Sequence, residues 1–437
     1  MSLFRRPTAP AAAPLPAVVL SCLGAPESDL NLVRALGEQG VPVIVIAEDP
    51  QPPSRHSRHC SAFHHLPDYT REPARLLALL TTLQRLHQGA LLPVFPSADP
   101  DLGALLSLEP ALAGVCRPIV SPPVVAQLLM DKRAFGIEAE RLGLPVPRSF
   151  SPRTLVAAEA LSRIVDYPVI VKPTHPLAWK HPGLDHAVAR AKALLVDDPR
   201  ALMRLCGQLA PHGLDVLVQE YIPGRDEAHY SVHVYVDPEG RALASYTARK
   251  WRTYPIHAGS GCHVESVHEP ALEVEAITIL RTLGFRGLAN LNFKRHARTG
   301  RHLLIEINPR SSQTSLLAVR AGVNLAWLAY CTACGLPPPA SARRRFGLRY
   351  LNAGLDFHAF RAYRFQGEWD WSEYLVTVLR PGLVFQYASL RDPGPLLHLL
   401  QGWWARRQSR SSMGGGESVR PGSAVAGELP RIVDHPG

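Results

Sequence analysis

Lysine is scarce in this chain of 437 residues. Only six of its 47 basic residues are lysines, so the other 41 are arginines. All six lysines fall between residues 132 and 294. Lysine is a compact, flexible partner for phosphate, whereas arginine binds as a planar fork. The distribution therefore directs the search for phosphate chemistry to residues 132–294.

The sequence also lacks long apolar runs and an even number of cysteines. No run approaches the roughly 20 apolar residues that a membrane-spanning helix needs. Four prolines between residues 7 and 16 interrupt the Ala-rich start, which would otherwise resemble a signal peptide. Seven scattered cysteines favour a reducing, cytoplasmic compartment. We therefore expect neither a targeting segment nor a membrane span.

Acidic residues are outnumbered, with a formal net charge of +10. Such a charge favours nucleic acid when the basic residues cluster, but here the arginines are spread along the whole chain. We expect a soluble protein with small anionic ligands. A nucleic-acid-binding protein is the rival interpretation, and an affinity that falls steeply with salt would support it.

The first 125 residues alternate between strand and helix patterns. The predicted elements are strands at 17–24, 41–47 and 91–95 and helices at 28–38, 72–87 and 98–107. They predict a doubly wound parallel sheet over residues 17–125, preceded by a disordered start at 1–16. Gly24 lacks the two further glycines of a dinucleotide-binding turn, so the pattern does not favour a nicotinamide cofactor.

A second region, of α+β type, follows. Its predicted elements are helices at 131–142 and 270–282 and strands at 169–171, 216–219, 230–236, 242–249, 287–293 and 302–307. The last two strands, joined by the turn at 296–300, would form a hairpin. Residues 341–405 have no assigned role, and residues 406–437 are predicted to be a disordered tail.

The segment from Glu306 to Arg310 carries the strongest chemical signal. Side chains at positions i and i+2 of a strand share a face, so Glu306 and Asn308 would present two oxygen ligands to one place, which suits magnesium. Arg310 adds a cationic fork two residues later. A strand end with polar capping groups is the alternative.

This segment resembles the metal-binding strand of the ATP-grasp superfamily, and other motifs occur in the family's order. Residues 130–135 and 142–147 resemble its entrance helix and turn, with Lys132 as the first ATP-binding lysine; an exposed helix lysine is the alternative. Residues 167–173 resemble the strand whose lysine, here Lys172, reaches the nucleotide phosphates. A lysine leaving an apolar strand needs an anionic partner, which a structural carboxylate could also supply.

Further positions carry roles that the resemblance implies. Residues 218–224 resemble the adenine-binding hinge, with Gln219, Glu220, Tyr221 and Ile222, and either Asp226 or Glu227 would bind the ribose hydroxyls. The loop from 174 to 186 resembles a mobile lid over the phosphates, in which Lys180 would donate hydrogen bonds to them. Asn292 stands where the family usually has a second acidic metal ligand, which leaves open whether one or two metals bind.

One basic stretch lies between the hinge and the metal strands. In the family such a stretch lines the acceptor site, so Lys250 and Arg252 would hold a substrate carboxylate or its phosphate, with a flexible loop at 259–261. A solvated strand face is the alternative. The cluster from His56 to His65 matches no common zinc spacing, and the Cys331–Cys334 pair is a C-x-x-C with no second pair nearby in sequence, so both are interpreted as structural.

The resemblance covers residues 17–340 and implies a fold and an activity. The fold would be an N-terminal doubly wound domain followed by a two-subdomain ATP-grasp domain at 126–340, whose mobile small subdomain spans about 145–222. The activity would be a ligase using ATP and Mg²⁺ to join a small-molecule carboxylate to an amine, without nucleic acid, and a homodimer is compatible with it. A carboxylase, a thioester-forming ligase and a non-catalytic nucleotide-binding protein are the alternatives.

Overall fold

The computed structural model describes most of the chain. The described residues are 14–23, 27–174, 179, 181, 183–185, 188–189, 191–339, 342–412 and 431–432. The expected disordered start lies outside them up to residue 13, and so do residues 413–430 and 433–437 of the expected tail.

The N-terminal region is a doubly wound parallel sheet, as predicted. Its strands lie in the order β3-β2-β1-β4-β5, and they are β1 (Ala17–Ser21), β2 (Val43–Ala47), β3 (Cys60–His65), β4 (Leu92–Phe95) and β5 (Cys116–Pro118). The helices are α1 (Ser28–Gly37), α2 (Pro73–Leu86) and α3 (Asp99–Ser107). Alternate residues of β1 and β2 pack against α1 on one face and against α2 and α3 on the other.

A second sheet has four of its five strands within residues 145–222, the range in which the small subdomain is expected. Its strand order is β17-β8-β7-β9-β6, and the strands are β6 (Ser149–Phe150), β7 (Val169–Pro173), β8 (Leu194–Val196), β9 (Val216–Glu220) and β17 (Arg431–Ile432). Two helices, α6 (Leu155–Ser162) and α7 (Pro199–Leu209), cover it and share one apolar core with it. The subdomain is preceded by α4 (Pro123–Met130) and α5 (Lys132–Arg141).

The third and largest sheet has seven strands in the order β14-β13-β10-β11-β12-β15-β16. They are β10 (His229–Val236), β11 (Ala242–Tyr254), β12 (Ser260–Val267), β13 (Gly287–Arg295), β14 (His302–Asn308), β15 (Arg349–Leu351) and β16 (Leu383–Phe385). The expected hairpin is β13–β14. The expected flexible loop at 259–261 is wrong beyond Gly259, because β12 begins at Ser260 and pairs along β11.

The C-terminal region extends this sheet instead of forming a separate unit. After α8 (Pro270–Thr282), α9 (Ser315–Arg320) and α10 (Leu325–Ala333), the chain adds β15 and β16 to the sheet edge. Three helices complete it, namely α11 (Ala353–Phe365), α12 (Trp371–Val378) and α13 (Gly394–Ser412). The disordered tail expected at 406–437 is wrong at residues 406–412, which continue α13, and at Arg431–Ile432, which form β17.

The cysteines and the histidine cluster considered above all lie among the described residues. The seven cysteines are free thiols, and His64 and His65 belong to β3 and not to a loop. No group of three or more His, Cys, Asp or Glu within the described residues is arranged to hold a metal ion. No helix in this part of the chain has both the length and the apolar character of a membrane span.

Candidate functional site

The two faces of the large sheet differ at β10, where one face is apolar and the other carries polar side chains. On β10 the alternate residues Tyr230, Val232 and Val234 pack into the core beneath α8. His229, Ser231 and His233, the residues between them, are buried on the opposite face. Buried polar groups need partners, so this end of the sheet is a candidate site.

A carboxylate with two amides stands on the outer hairpin. Register pairing places Asn292 of β13 opposite Glu306 of β14. The Nδ2 atoms of Asn292 and Asn308 each donate to Glu306 Oε1 at 3.2 Å, and Ser231 Oγ donates to Asn292 Oδ1 at 2.9 Å. The three residues predicted as metal ligands therefore lie side by side.

Three lysines surround Glu306. Burial would raise the pKa of its carboxyl group, but Lys132, Lys172 and Lys250 hold that pKa below the usual value. The pKa of Lys172 is lowered to about 8, first by burial and then by Lys132, against the attraction of Glu306. The Asp226 carboxylate also attracts Lys250. The three ammonium groups still outnumber these two carboxylates, so the site is suited to an anionic ligand.

The three lysines come from different parts of the fold. Lys132 is the first residue of α5, whose N-terminus is capped by the Asp131 carboxylate, and its Nζ donates to Pro173 O at 3.5 Å. Lys172 lies on β7 of the small sheet and Lys250 on β11 of the large sheet. The site therefore lies where the two sheets of the expected ATP-grasp domain meet.

Arg310 is held in place by the N-terminal domain. Its Nε donates to Asp99 Oδ1 at 2.6 Å, where Asp99 is the first residue of α3. Its Nη1 donates to Ser311 O at 3.1 Å, and Nη2 reaches Asn308 Oδ1 at 3.5 Å. The guanidinium group is thus fixed beside the Glu306–Asn308 pair before any ligand arrives.

The connection between the two sheets runs past Lys294. Gln219 Nε2 donates to Ser149 Oγ at 2.9 Å, and Glu220 Oε2 accepts from Arg148 N at 3.2 Å, so both side chains are engaged within the small sheet. Lys294 Nζ lies 5.2 Å from the centre of the Tyr221 ring. The expected role of residues 219–222 in binding adenine remains a prediction.

Arg252 does not fit the expected substrate role. Its guanidinium group is fully buried and binds the Asp356 carboxylate of α11 through Nε at 2.7 Å and Nη2 at 2.9 Å. The rings of Trp369 and Tyr374 lie 4.8 and 4.9 Å away. Arg252 therefore stabilises the packing of α11. Of the two residues predicted here for the substrate site, Lys250 lies at the site and Arg252 does not.

Asp226 does not fit the expected ribose contact either. Its buried carboxylate accepts hydrogen bonds from Thr253 Oγ1 and His257 N, both at 2.8 Å, and from the Tyr363 hydroxyl. These bonds join the start of β10 to the β11–β12 loop and to α11. Its neighbour Glu227 forms an ion pair with Arg225 at 3.4 Å, and the ribose assignment of Glu227 stays a prediction.

Sequence reasoning missed part of the site, and one expected residue is not described. Lys180 of the expected lid lies outside the described residues. The polar residues His229, His233, Lys294 and Asp99 were not predicted. Period-two alternation would have found the first three, because His229 and His233 flank Ser231 on one face of β10 and Lys294 lies two positions after Asn292. Asp99 has no local sequence signal.

Comparison with known proteins identifies the fold. The family described as "ATP-grasp in the biosynthetic pathway with Ter operon" matches residues 213–353, which include Lys250, Asn292, Glu306 and Arg310. Carbamoyl phosphate synthase large chain from Methanothrix thermoacetophila is 32% identical over 199 residues, which are 44% of this chain and 17% of the relative. The chain also spans only 36% of the carbamoyl phosphate synthase large chain N-terminal section from Methanopyrus kandleri, to which it is 28% identical over 220 residues, or 47% of this chain.

Solved structures extend the likeness over most of the chain. A biotin carboxylase–beta-gamma-ATP complex from Campylobacter jejuni superposes with a TM-score of 0.57 at 15% identity, covering 76% of this chain and 74% of its own. An L-amino acid ligase from Bacillus licheniformis superposes with a TM-score of 0.55 at 13% identity, covering 76% and 78%. At such identities the likeness concerns the fold. Residues 213–353 are similar to an ATP-grasp family, and most of the chain shares its fold with these solved structures.

Proposed function

We propose that this protein is a ligase that uses magnesium-ATP to activate a carboxylate as an acyl phosphate and transfers the acyl group to an amine. The observation that carries the proposal is the convergence of Lys132, Lys172 and Lys250 on Glu306 between the two sheets. That arrangement supplies positive charge for a polyphosphate and one carboxylate for its metal ion.

The residues fit a magnesium ion that completes its coordination with phosphate oxygens and water. Mg²⁺ is commonly held by one or two carboxylates together with substrate phosphates. Glu306 offers the charge, and Asn292 and Asn308 offer amide oxygens once these amides turn. A further oxygen is available nearby, since Asn290 lies opposite Asn308 and its buried Oδ1 has no hydrogen-bond partner among the described residues. When bound, the ion would offset charge on the transferring phosphoryl group.

The protein side chains have defined tasks in this reaction. A carboxylate oxygen of the substrate attacks the γ-phosphorus of ATP, and the bond to the β,γ-bridging oxygen breaks to release ADP. Lys132 and Lys172 stabilise the phosphate charge, and Arg310, oriented by Asp99, faces the developing acyl phosphate. The amine then attacks the acyl carbon, loses a proton and expels inorganic phosphate.

The carbon–nitrogen bond is proposed from the relatives. Carbamoyl phosphate synthase and L-amino acid ligase occur among them, while biotin carboxylase shares the fold. We place the protein in the cytoplasm, a compartment that suits seven free cysteines. A homodimer remains a prediction.

Hydroxylamine trapping tests the proposed activation step. Hydroxylamine attacks an acyl phosphate, so the protein with ATP, Mg²⁺ and a panel of carboxylates should form hydroxamate together with one ADP. We expect Glu306→Gln to lower this rate by roughly a hundredfold or more, and Glu140→Gln, on the exposed side of α5, to leave it unchanged. ATP binding without ADP or hydroxamate from any carboxylate would instead indicate a non-catalytic nucleotide-binding protein.

A further inference from the structure

Glu27 is a buried carboxylate at the start of α1, and no cation of the described chain forms an ion pair with it. The residue is 8% exposed. Its Oε1 accepts hydrogen bonds from Asn352 Nδ2 at 2.6 Å and from the Tyr387 hydroxyl at 3.5 Å. Burial raises the pKa of Glu27, the two hydrogen bonds oppose this effect, and the charge of Asp29 adds to it. The preceding residues 24–26 carry no charged side chain.

Two buried amide oxygens near Glu27 have no hydrogen-bond donor among the described residues. They are Asn31 Oδ1 and Gln386 Oε1, and the two side chains are 0% and 1% exposed. Asn31 Nδ2 donates to Gln313 O at 2.6 Å, and Gln386 Nε2 donates to Glu27 O at 3.1 Å. Because a carbonyl oxygen only accepts, both amide orientations are fixed and the two amide oxygens are left over. A buried acceptor of this kind costs free energy unless a donor reaches it.

The first turn of α1 also carries more negative charge than its described neighbours offset. Asp29 is fully buried, and its carboxylate accepts hydrogen bonds from Ser21 Oγ, Ser54 Oγ and Leu30 N. These donors are uncharged. Burial raises the pKa of Asp29 to about 6, so the group is still mostly ionised at pH 7. The helix N-terminus supplies only roughly half a positive charge, and the first turn therefore favours a cation with several N–H donors.

Helix α1 adjoins the loop that follows Arg310. Gln313, whose carbonyl oxygen binds Asn31, comes three residues after Arg310, and three residues of chain span at most about 11 Å. Residues of α1 also line a cavity of about 20 Å³ together with Arg310 and Ser311. The acceptor groups at the start of α1 are thus close to the guanidinium group to which the proposed function assigns the acyl phosphate.

We propose that Glu27, Asn31 and Gln386 bind an ammonium group of the carboxylate substrate, so that the substrate is an amino acid. The inference rests on the proposed function, since it is Arg310 that faces the carboxylate being activated. The Glu27 carboxylate and the two amide oxygens are acceptors for the three N–H donors of an ammonium group. The carboxylate of the same substrate molecule extends towards Arg310.

The same contacts argue against the attacking amine and against a metal ion as the occupant. A carboxylate and amide oxygens stabilise the protonated form of an amine, which has no lone pair for attack on the acyl carbon. A metal ion of the Ca²⁺ type takes six to eight oxygen ligands, whereas the oxygens of Asp29 are already engaged by hydrogen bonds. Among the described residues, no group of three or more His, Cys, Asp or Glu is arranged to hold a metal ion.

Hydroxylamine trapping with paired acids tests the proposal, because hydroxylamine takes the place of the amine substrate. The protein amino acids, β-alanine and γ-aminobutyrate are each compared with the acid of the same skeleton that lacks the amino group. We expect at least one amino acid to exceed its partner acid roughly thirtyfold in kcat/KM for hydroxamate formation, the effect of one hydrogen bond between charged groups. Glu27→Gln should remove this preference by lowering kcat/KM for the amino acid alone.

The substitution Glu27→Gln is expected to leave the fold intact. Glutamine keeps an oxygen that can accept from Asn352 and Tyr387, and burial does not oppose a neutral amide as it opposes a carboxylate. The melting temperature of this variant without ligand should therefore be unchanged or higher.

Glu72→Gln is the matched control, since Glu72 also directly precedes a helix of the N-terminal domain, α2, but is exposed. This variant should keep both the rate and the preference. A second measurement needs no catalysis: the preferred amino acid should raise the melting temperature of the unchanged protein and of Glu72→Gln, and not that of Glu27→Gln.

The outcomes separate this inference from the proposed ligase activity. Equal hydroxamate formation from amino acids and their partner acids, or an amino-acid preference that Glu27→Gln retains, would overturn the ammonium site and leave the ligase activity standing. Hydroxamate from none of the acids would contradict the ligase activity. In that case an amino acid that raises the melting temperature only while Glu27 is present would support the ammonium site, and the lack of any such shift would overturn it.

Discussion

Lys250 and Arg252 lie two positions apart on β11, yet their side chains lie on different faces of the strand and have different partners. In a regular strand they would share a face. Lys250 pairs with Val264 of β12 and Arg252 with the adjacent His263, so Trp251 is an extra residue in the strand. This bulge turns Arg252 to the face covered by α11, where Asp356 binds it. Lys250 remains among the groups that lower the pKa of Glu306.

The buried charge of Lys172 is expected to lower the stability of the fold while it strengthens ATP binding. Its pKa is lowered to about 8 in the folded state, below the unfolded value. At pH 7 the charged lysine therefore lowers the free energy of unfolding. This destabilisation disappears as the pH rises from about 8 through the unfolded pKa. We expect Lys172→Met to weaken ATP binding by roughly thirtyfold, the loss of about 2 kcal/mol from a charged hydrogen bond. Its melting temperature at pH 7 should be unchanged or higher.

The exposed Lys192 is the matched control for this substitution, because it lies just before β8 of the same sheet. Lys192→Met should change calorimetric ATP affinity little. Equal weakening by the two variants would show that the phosphates are placed wrongly.

Asn292 stands where the resemblance implies an acidic metal ligand, so the site has one negative charge fewer than expected. Asn292→Asp would place a second carboxylate beside Glu306, where Asn292 Nδ2 now lies 3.2 Å from Oε1. We expect the magnesium concentration at half-maximal turnover to fall by roughly fivefold, the effect of about 1 kcal/mol between nearby charges. Without metal, repulsion should lower the melting temperature. A lower melting temperature with an unaltered magnesium midpoint would contradict the metal assignment.

At the scale of secondary-structure elements, one histidine joins three of them. His257, in the β11–β12 loop, lies 3.4 Å from Asp226 Oδ1 and 3.0 Å from Glu368 Oε1, just after α11. Although burial opposes its charge, the two carboxylates and Gln366 raise the pKa of His257 to about 10. Its backbone is left-handed, with φ of 66°. This contact ties the loop to the connection between the two sheets.

The raised pKa makes the contribution of His257 to stability depend on pH. A group with a folded pKa near 10 and an unfolded value near 6.5 contributes fully below about pH 6.5, and the contribution is lost as pH rises towards 10. His257→Asn keeps a residue that tolerates positive φ. We expect its melting temperature to fall well below that of the unchanged protein at pH 6, and the difference to shrink at pH 9. A constant difference would mean that the histidine acts through packing only.

At the scale of the whole molecule, the N-terminal domain contributes the Asp99 side chain to the site. Asp99 belongs to the doubly wound sheet region, while Arg310 belongs to the ATP-grasp domain, and their ion pair is 2.6 Å long. The two regions also share one apolar core, in which α1 packs against α9 and α10. The N-terminal domain therefore packs against the second domain and also orients the Arg310 guanidinium group.

We expect Asp99→Asn to lower kcat by roughly tenfold, because a misplaced positioning group costs one to two orders of magnitude. ATP affinity should be unchanged, since Asp99 acts on Arg310, to which it is hydrogen-bonded, and the nucleotide phosphates are assigned to Lys132 and Lys172. Steady-state kinetics alongside calorimetric binding checks both, and Asp68→Asn on the exposed surface of the same domain provides the control. A loss of ATP affinity equal to the loss of kcat would place Arg310 with the nucleotide instead.

Local sequence patterns determined most of the elements and the centre of the site. Helix α8 was predicted with its observed bounds, and the hairpin that brings Asn292 opposite Glu306 followed from two apolar strands and one turn. The confinement of lysine to residues 132–294 also directed attention to Lys132, Lys172 and Lys250, the three lysines that lower the pKa of Glu306. Such features depend on neighbours within a few residues, and so they can be predicted from one sequence.

Only the tertiary structure decided which polar side chains face the site. Asp226 and Arg252 have the residue types of ligand-binding groups, yet partners distant in sequence engage them, Tyr363 in one case and Asp356 in the other. Asp99 has no motif, and it acquires its role from an arginine 211 positions later. No local pattern records a distant partner or a one-residue bulge, because both arise from packing between elements that the sequence separates.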